Sequence, residues 1–315
     1  SSRRPATNPP GSTLAGPERH AGGNSRYTAD TMKRRALLAA LPLLAAPANA
    51  AARLKAVATF SILADFLREV GGEDVEVASL VGPDADVHSF QPTPREARLL
   101  ASASLLVSNG LGFEGWLDRL ADAAAFRGQR IVAAADLPAG TNPHAWLDIA
   151  VARRYVAAIA DGLAKADPAH ANAYRARAAA YDHRLAALDA WVRTEIAKVP
   201  EGKRRAIVGH QSFDAFGRAY GVEMLAIRHG AHDHEPSARD LAELIRLARR
   251  QNIKAVFVEH LANPALPAEI ARDIGVTLGP PLYSDALSDA SGPAATYEAM
   301  MRYDTATLVA GMQKN

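Results

Sequence analysis

The chain has 315 residues, 49% hydrophobic, 22% charged and 6% aromatic, an ordinary globular composition with room for one large domain or two smaller ones. The formal charge of +2 is unevenly placed: residues 1–50 hold seven Lys or Arg against two Asp or Glu, and the remaining 29 basic and 32 acidic residues sum to −3, so no basic face for nucleic acid is implied. There is no cysteine, which excludes disulfides, thiolate metal sites and thiol nucleophiles together.

Residues 1–31 are rich in Pro, Gly, Ser and Asn without periodicity and read as a disordered leader. Met32-Lys33-Arg34-Arg35, the short apolar run Ala36 to Pro47 and the small-x-small site Ala48-Asn49-Ala50 then form a secretory signal peptide. The run is too short to span a bilayer, and Pro42 and Pro47 break it as a core helix. Residues 1–50 are therefore expected to be removed. The mature protein is expected to be soluble in the periplasm, with no cysteine to carry a lipid anchor.

Leu54 to Phe60 reads as a strand, and Ser61 caps a helix, Ile62 to Val70, that Gly71-Gly72 closes. Val75 to Val81 alternates as a strand and ends at Gly82-Pro83. His88 lies in the loop that follows. Thr93-Pro94-Arg95-Glu96 carries the signature of a capped helix start. A strand over 104–108, a helix over 113–125 and a strand over 130–134 continue the alternation, which signals a parallel sheet with crossover helices. His144 sits in the next loop, before a helix over 149–165. A second helix is predicted from about 169 to 199, with Tyr174, Ala178, Tyr181, Leu185, Leu188 and Val192 on one face. At 1.5 Å per residue it spans roughly 45 Å, a length that suits a spine between two lobes.

After Pro200-Glu201-Gly202 the pattern restarts. A strand over 205–208 leads into His210, a helix runs from 212 to 220, and a strand covers 222–227. Ser237 caps a helix to about 251, with Asp240 as capping-box partner. Strands over 254–258 and 276–278, a helix over 267–274 and a final helix over 296–313 complete the chain. The expected class is α/β: two lobes, residues 51–168 and 200–315, with parallel-type sheets joined by one long rigid helix at 169–199.

His88, His144, His210 and Asp285 each follow a predicted strand, two before the spine and two after it. Ligand sites in parallel α/β sheets lie beyond the carboxyl ends of the strands, and three imidazoles with one carboxylate suit a tetrahedral zinc ion. Spacing alone is weak evidence, because these residues are 50 to 80 positions apart. The stretches 60–65, 80–88 (Leu-Val-Gly-Pro-Asp-Ala-Asp-Val-His), 109–114, 142–148 (Asn-Pro-His-Ala-Trp-Leu-Asp), 210–213 (His-Gln-Ser-Phe) and 283–288 (Tyr-Ser-Asp-Ala-Leu-Ser) carry more. In combination they resemble the zinc/manganese solute-binding proteins of ABC importers, the cluster A-I receptors, over essentially the whole mature chain. That resemblance implies two α/β lobes on a rigid helix, a metal in the cleft held by His88, His144, His210 and Asp285, and delivery of Zn2+ to an inner-membrane ABC permease. It also implies loading by a periplasmic zinc chaperone, and a monomer.

Two departures from the family pattern stand out. Asp86-Val87-His88 replaces aspartate-proline-histidine, and the His-rich loop of many zinc members is missing from the first half. In the second half His229, His232 and His234 lie within six residues and read as an auxiliary zinc-catching loop. Glu259 reads as an acceptor that orients a ligating imidazole. His170 and His183 are assigned structural or solvent-facing positions on the spine, and His260 is not a ligand. Alternatives are a manganese receptor of the same family and a zinc hydrolase. The hydrolase requires an open water position and a base, with Glu259 the one candidate; there is no His-Glu-x-x-His motif.

Overall fold

A computed structural model describes residues 53–228 and 236–315; residues 1–52, on which the expected leader and signal peptide fall, and residues 229–235 lie outside the described residues. Strands β1 (Leu54–Ala58), β2 (Val75–Ser79), β3 (Leu105–Ser108) and β4 (Gln129–Val132) form a parallel sheet in the order β2-β1-β3-β4. Its strand order reverses between β1 and β3, where open α/β sheets place ligands. Helices α1 (Ser61–Gly71), α2 (Pro94–Ala101) and α3 (Leu117–Ala123) are the crossovers. The predicted capping box is present: Glu96 accepts from the Thr93 backbone N–H at 2.8 Å, and Arg95 N–H donates to Thr93 Oγ1 at 3.2 Å.

Helices α4 (Ile149–Ala166) and α5 (Ala171–Ala197) follow. The 27 residues of α5 span about 40 Å. Its buried face is Tyr174, Ala178, Tyr181, Leu185, Leu188, Val192 and Ile196, a three-and-four spacing that aligns one stripe along the helix. The stripe packs on α4, α1 and α9 (Tyr297–Met312). Arg177 of α5 caps the end of α1, donating to the carbonyls of Val70 and Gly71 at 2.7 and 2.8 Å and to Asp74 at 2.7 Å. His170 precedes α5 and pairs with Asp167 at 2.6 Å.

Strands β5 (Arg205–Val208) and β6 (Glu223–Ala226) are parallel, and α6 (Asp214–Tyr220), α7 (Ala238–Arg250) and α8 (Ala265–Ile274) complete the described helices. Of the strand expected at 254–258 one isolated bridge remains, Ile207 with Val256, and 276–278 forms no strand; a second bridge joins Glu259 with Leu282, outside both expected ranges. The Asn315 side chain takes the place of a strand at one end, accepting from the N–H groups of Lys254 and Ala255 at 2.6 and 3.1 Å. Pro280 and Pro281 have no N–H to extend a ladder at the other. The helix expected at 113–125 begins only at Leu117, because Glu114 turns back to accept from Asn109 N–H and Gly110 N–H at 2.6 and 3.2 Å. Among the described residues no helix is long and apolar enough to cross a membrane.

Candidate metal centre

The structure brings His88, His144, His210 and Asp285 together. Each offers one ligand atom, and the four atoms lie within 4.8 Å of one another. Asp285 is the hub: its carboxylate is 3.0 Å from His144 Nε2, 3.4 Å from His210 Nε2 and 3.9 Å from His88 Nε2. His144, His210 and Asp285 are buried, whereas the His88 side chain is 33% exposed and forms the open side.

Each ligand-bearing loop is held by its own contacts. Asp86 accepts from His88 N–H at 2.8 Å, and Trp116 Nε1 donates to Val87 O at 3.0 Å. The His88 ring meets Phe113 edge-on at 4.8 Å. Fully buried Asn109 donates to Pro143 O at 3.0 Å and accepts from Tyr155 OH at 2.8 Å, fixing the backbone before His144. Asn142 accepts from His144 N–H at 2.9 Å. The Asp285 loop hangs from Trp146, whose Nε1 donates to Ser284 O at 2.9 Å, and from Asp304, which accepts from Tyr283 N–H at 2.9 Å. Asp84, with a left-handed φ of 50°, clamps two loops: its carboxylate meets His260 Nε2 at 3.1 Å and Asp289 N–H at 2.8 Å. His260 is thus a partner of Asp84.

Glu259 lies beside His210. Its Oε1 is 3.2 Å from His210 Nδ1 and accepts from the His210 N–H at 3.2 Å and from Ser212 Oγ at 3.3 Å. Gly209 makes room for it, since a Cβ at that position would sit 2.3 Å from Glu259 Oε2. His229, His232 and His234 belong to residues 229–235, outside the described residues.

Electrostatics and unmet polar atoms fit a cation. Burial pushes the Asp285 carboxyl up, but the adjoining His144 and His210 rings reverse this and hold it well below the usual carboxylate range. Burial likewise pushes His210 down, and Asp285 and Glu259 overcome it to hold the ring well above its ordinary value. Burial lowers His88, against the opposing pull of Asp285. Nε2 of His144, Nε2 of His210 and Oδ1 of Asp285 are buried without a hydrogen-bond partner among the described residues. One cation satisfies all three, where neutral packing leaves a desolvation penalty for each. The cavity above the cluster, about 380 Å³, is lined by His88, Thr141, Asn142, Gln211, Asp214 and Arg218 among others.

The loop anchors carry a testable cost. Trp146→Phe leaves the Ser284 carbonyl without this donor and a small cavity where the larger indole packed, so a loss of about 1–3 kcal/mol is expected. Denaturant melts with an unchanged slope measure it; wild-type stability in Trp146→Phe would show that the bond does not secure the loop.

Asn109, Asn142, Trp146, Asp84 and Gly209 were not legible as site supports in the sequence. The one available signal was their place in or next to the quoted stretches: Asp84 in 80–88, Asn109 in 109–114, Asn142 and Trp146 in 142–148, and Gly209 just before His210.

Residues 56–311 match the family model described as the periplasmic zinc-uptake complex component A, ZnuA. The manganese-binding lipoprotein MntA of Bacillus subtilis is 33% identical over 276 residues, covering 83% of this chain and 90% of that protein. The zinc-binding protein TroA of Treponema pallidum is 30% identical over 274 residues, covering 82% and 88%. A solved structure of the periplasmic zinc-binding protein TroA from Treponema pallidum matches with a TM-score of 0.76 at 26% identity, covering 82% of this chain and 99% of that one.

Proposed function

Because the chain belongs to the family of the periplasmic zinc-uptake component, the metal-binding receptors of ABC importers and not enzymes, we propose that its cargo is Zn2+, held by His88, His144, His210 and Asp285 and passed to the permease. The observation that carries this reading is the donor set itself, three imidazole nitrogens and one carboxylate within 4.8 Å of one another. That set suits tetrahedral zinc, whereas a manganese site leans on oxygen ligands. Glu259 serves as the acceptor that orients His210. In this reading residues 51–168 and 200–315 are the two lobes, and 169–199 is the helix that limits them to small adjustments about the ion. The open side at His88 is the natural way in and out.

A second reading, manganese as cargo, is favoured by the identity to the manganese-binding lipoproteins MntA. Direct competition puts the zinc reading at risk. Chelator-stripped protein offered equimolar zinc and manganese is expected to retain zinc, as the general order of divalent affinities also predicts. Elemental analysis after desalting reads the result. Retention of manganese under those conditions would sink the zinc assignment while leaving the site in place.

A further inference from the structure

The carboxamide of Asn142 has two chemically different ends, and each engages a different segment. Oδ1 accepts from the His144 backbone N–H at 2.9 Å and lies 2.9 Å from His144 Nδ1. Nδ2 donates to the Gln211 carbonyl at 2.7 Å. A backbone N–H needs an acceptor and a carbonyl needs a donor, so a single orientation of the amide satisfies both. With Oδ1 as acceptor, the proton of a neutral His144 resides on Nδ1, and the lone pair is on Nε2. That nitrogen is buried without a hydrogen-bond partner among the described residues, 3.0 Å from Asp285 Oδ1.

The other tautomer has a different consequence. A proton on Nε2 would face the Asp285 carboxylate and form an imidazole–carboxylate hydrogen bond, occupying two ligand atoms at once. Any cation would have to break that bond to enter. The Asn142 oxygen disfavours this competitor by binding the proton on the far side of the ring. The Asn142 nitrogen does a second job. Gln211 follows His210 directly, and 69 residues separate it from Asn142, so one amide ties the loop of one ligand to the turn carrying another.

We propose that Asn142 is a positioning residue that presets the His144 Nε2 lone pair and tethers the His144 loop to the His210 turn, so that its loss weakens capture and speeds release of the cation. This rests on the reading of the four residues as metal ligands, and the test separates the two claims.

The full chain is stripped with chelator and followed three ways: zinc affinity by competition with a chromophoric chelator, zinc release by stopped-flow, and the His144 tautomer by 15N histidine NMR. Asn142→Ala is expected to bind zinc 10- to 100-fold more weakly, the usual range for partners of metal ligands, and to lose the Nδ1–H signature. Asn142→Asp keeps the acceptor for His144 but has no donor for Gln211. It is expected to retain the tautomer and release zinc faster than wild type. Wild-type affinity and tautomer in Asn142→Ala overturn the proposal. If that variant does not fold, wild-type release from Asn142→Asp overturns it instead. His144→Ala is the reference: if it too binds zinc like wild type, the ligand reading has failed. If His144→Ala loses zinc while the Asn142 variants keep it, only the role of Asn142 falls.

Discussion

Asp285→Asn is expected to remove most of the metal affinity, on the order of a hundredfold or more, since even partners outside the ligand shell are worth 10- to 100-fold. Asp285 is the group that all three imidazoles face, at 3.0, 3.4 and 3.9 Å, and the one anion of the set. An amide of the same shape keeps the packing and removes the charge. The effect is legible as stability, because a cargo that binds only the folded state stabilises it by mass action. A hundredfold loss removes about 2.7 kcal/mol of that stabilisation at a fixed excess of metal, or about 5–10 °C in Tm for a domain of this size. The measurement is a pair of melts, with zinc and with chelator. Wild type is expected to show the metal-dependent gain and Asp285→Asn to lose it. An equal gain in both would remove Asp285 from the site.

Asp65→Asn is expected to stabilise the protein at neutral pH and to flatten its pH dependence. Asp65 lies on α1 and accepts from Tyr297 N–H, at the start of α9, at 2.9 Å. A helix N-terminus favours an anion, yet burial dominates and, with Glu69 and Glu298 nearby, raises the carboxyl from 3.8 to about 6. The folded state thus holds a proton that the unfolded state gives up, so this group's contribution is fully present below about pH 4 and is lost as pH rises through about 6. A shift of about two units corresponds to roughly 3 kcal/mol between those limits. An asparagine keeps the acceptor for Tyr297 without the charge. The difference between variant and wild type, both chelator-treated so that metal plays no part, should grow in favour of the variant from pH 4 to pH 8. A difference independent of pH would show that Asp65 is not buried with its charge.

Local order was largely legible in the sequence. The stripe Tyr174, Ala178, Tyr181, Leu185, Leu188, Val192 of α5 was visible because a helix buries every third or fourth residue, whatever it packs against. The capping boxes at Thr93 and Ser237 were visible because each is closed within four residues. Where a distant partner intervened, local rules failed. Asn315 displaced a strand at Lys254 and Ala255, and Glu114 unwound the start of α3 by turning back to the Asn109 turn.

From residue order and periodicity alone came four ligand-type side chains, each placed in a loop beyond a strand, and a long helix dividing them two and two. Their convergence within 4.8 Å was a decision of the tertiary structure, as were the Asn142 link to Gln211, the Trp146 bond to Ser284 and the Asp84 clamp on His260. Those three contacts join residues 69, 138 and 176 positions apart. No helical or strand period reaches that far, so only the path of the folded backbone brings such groups within hydrogen-bonding range.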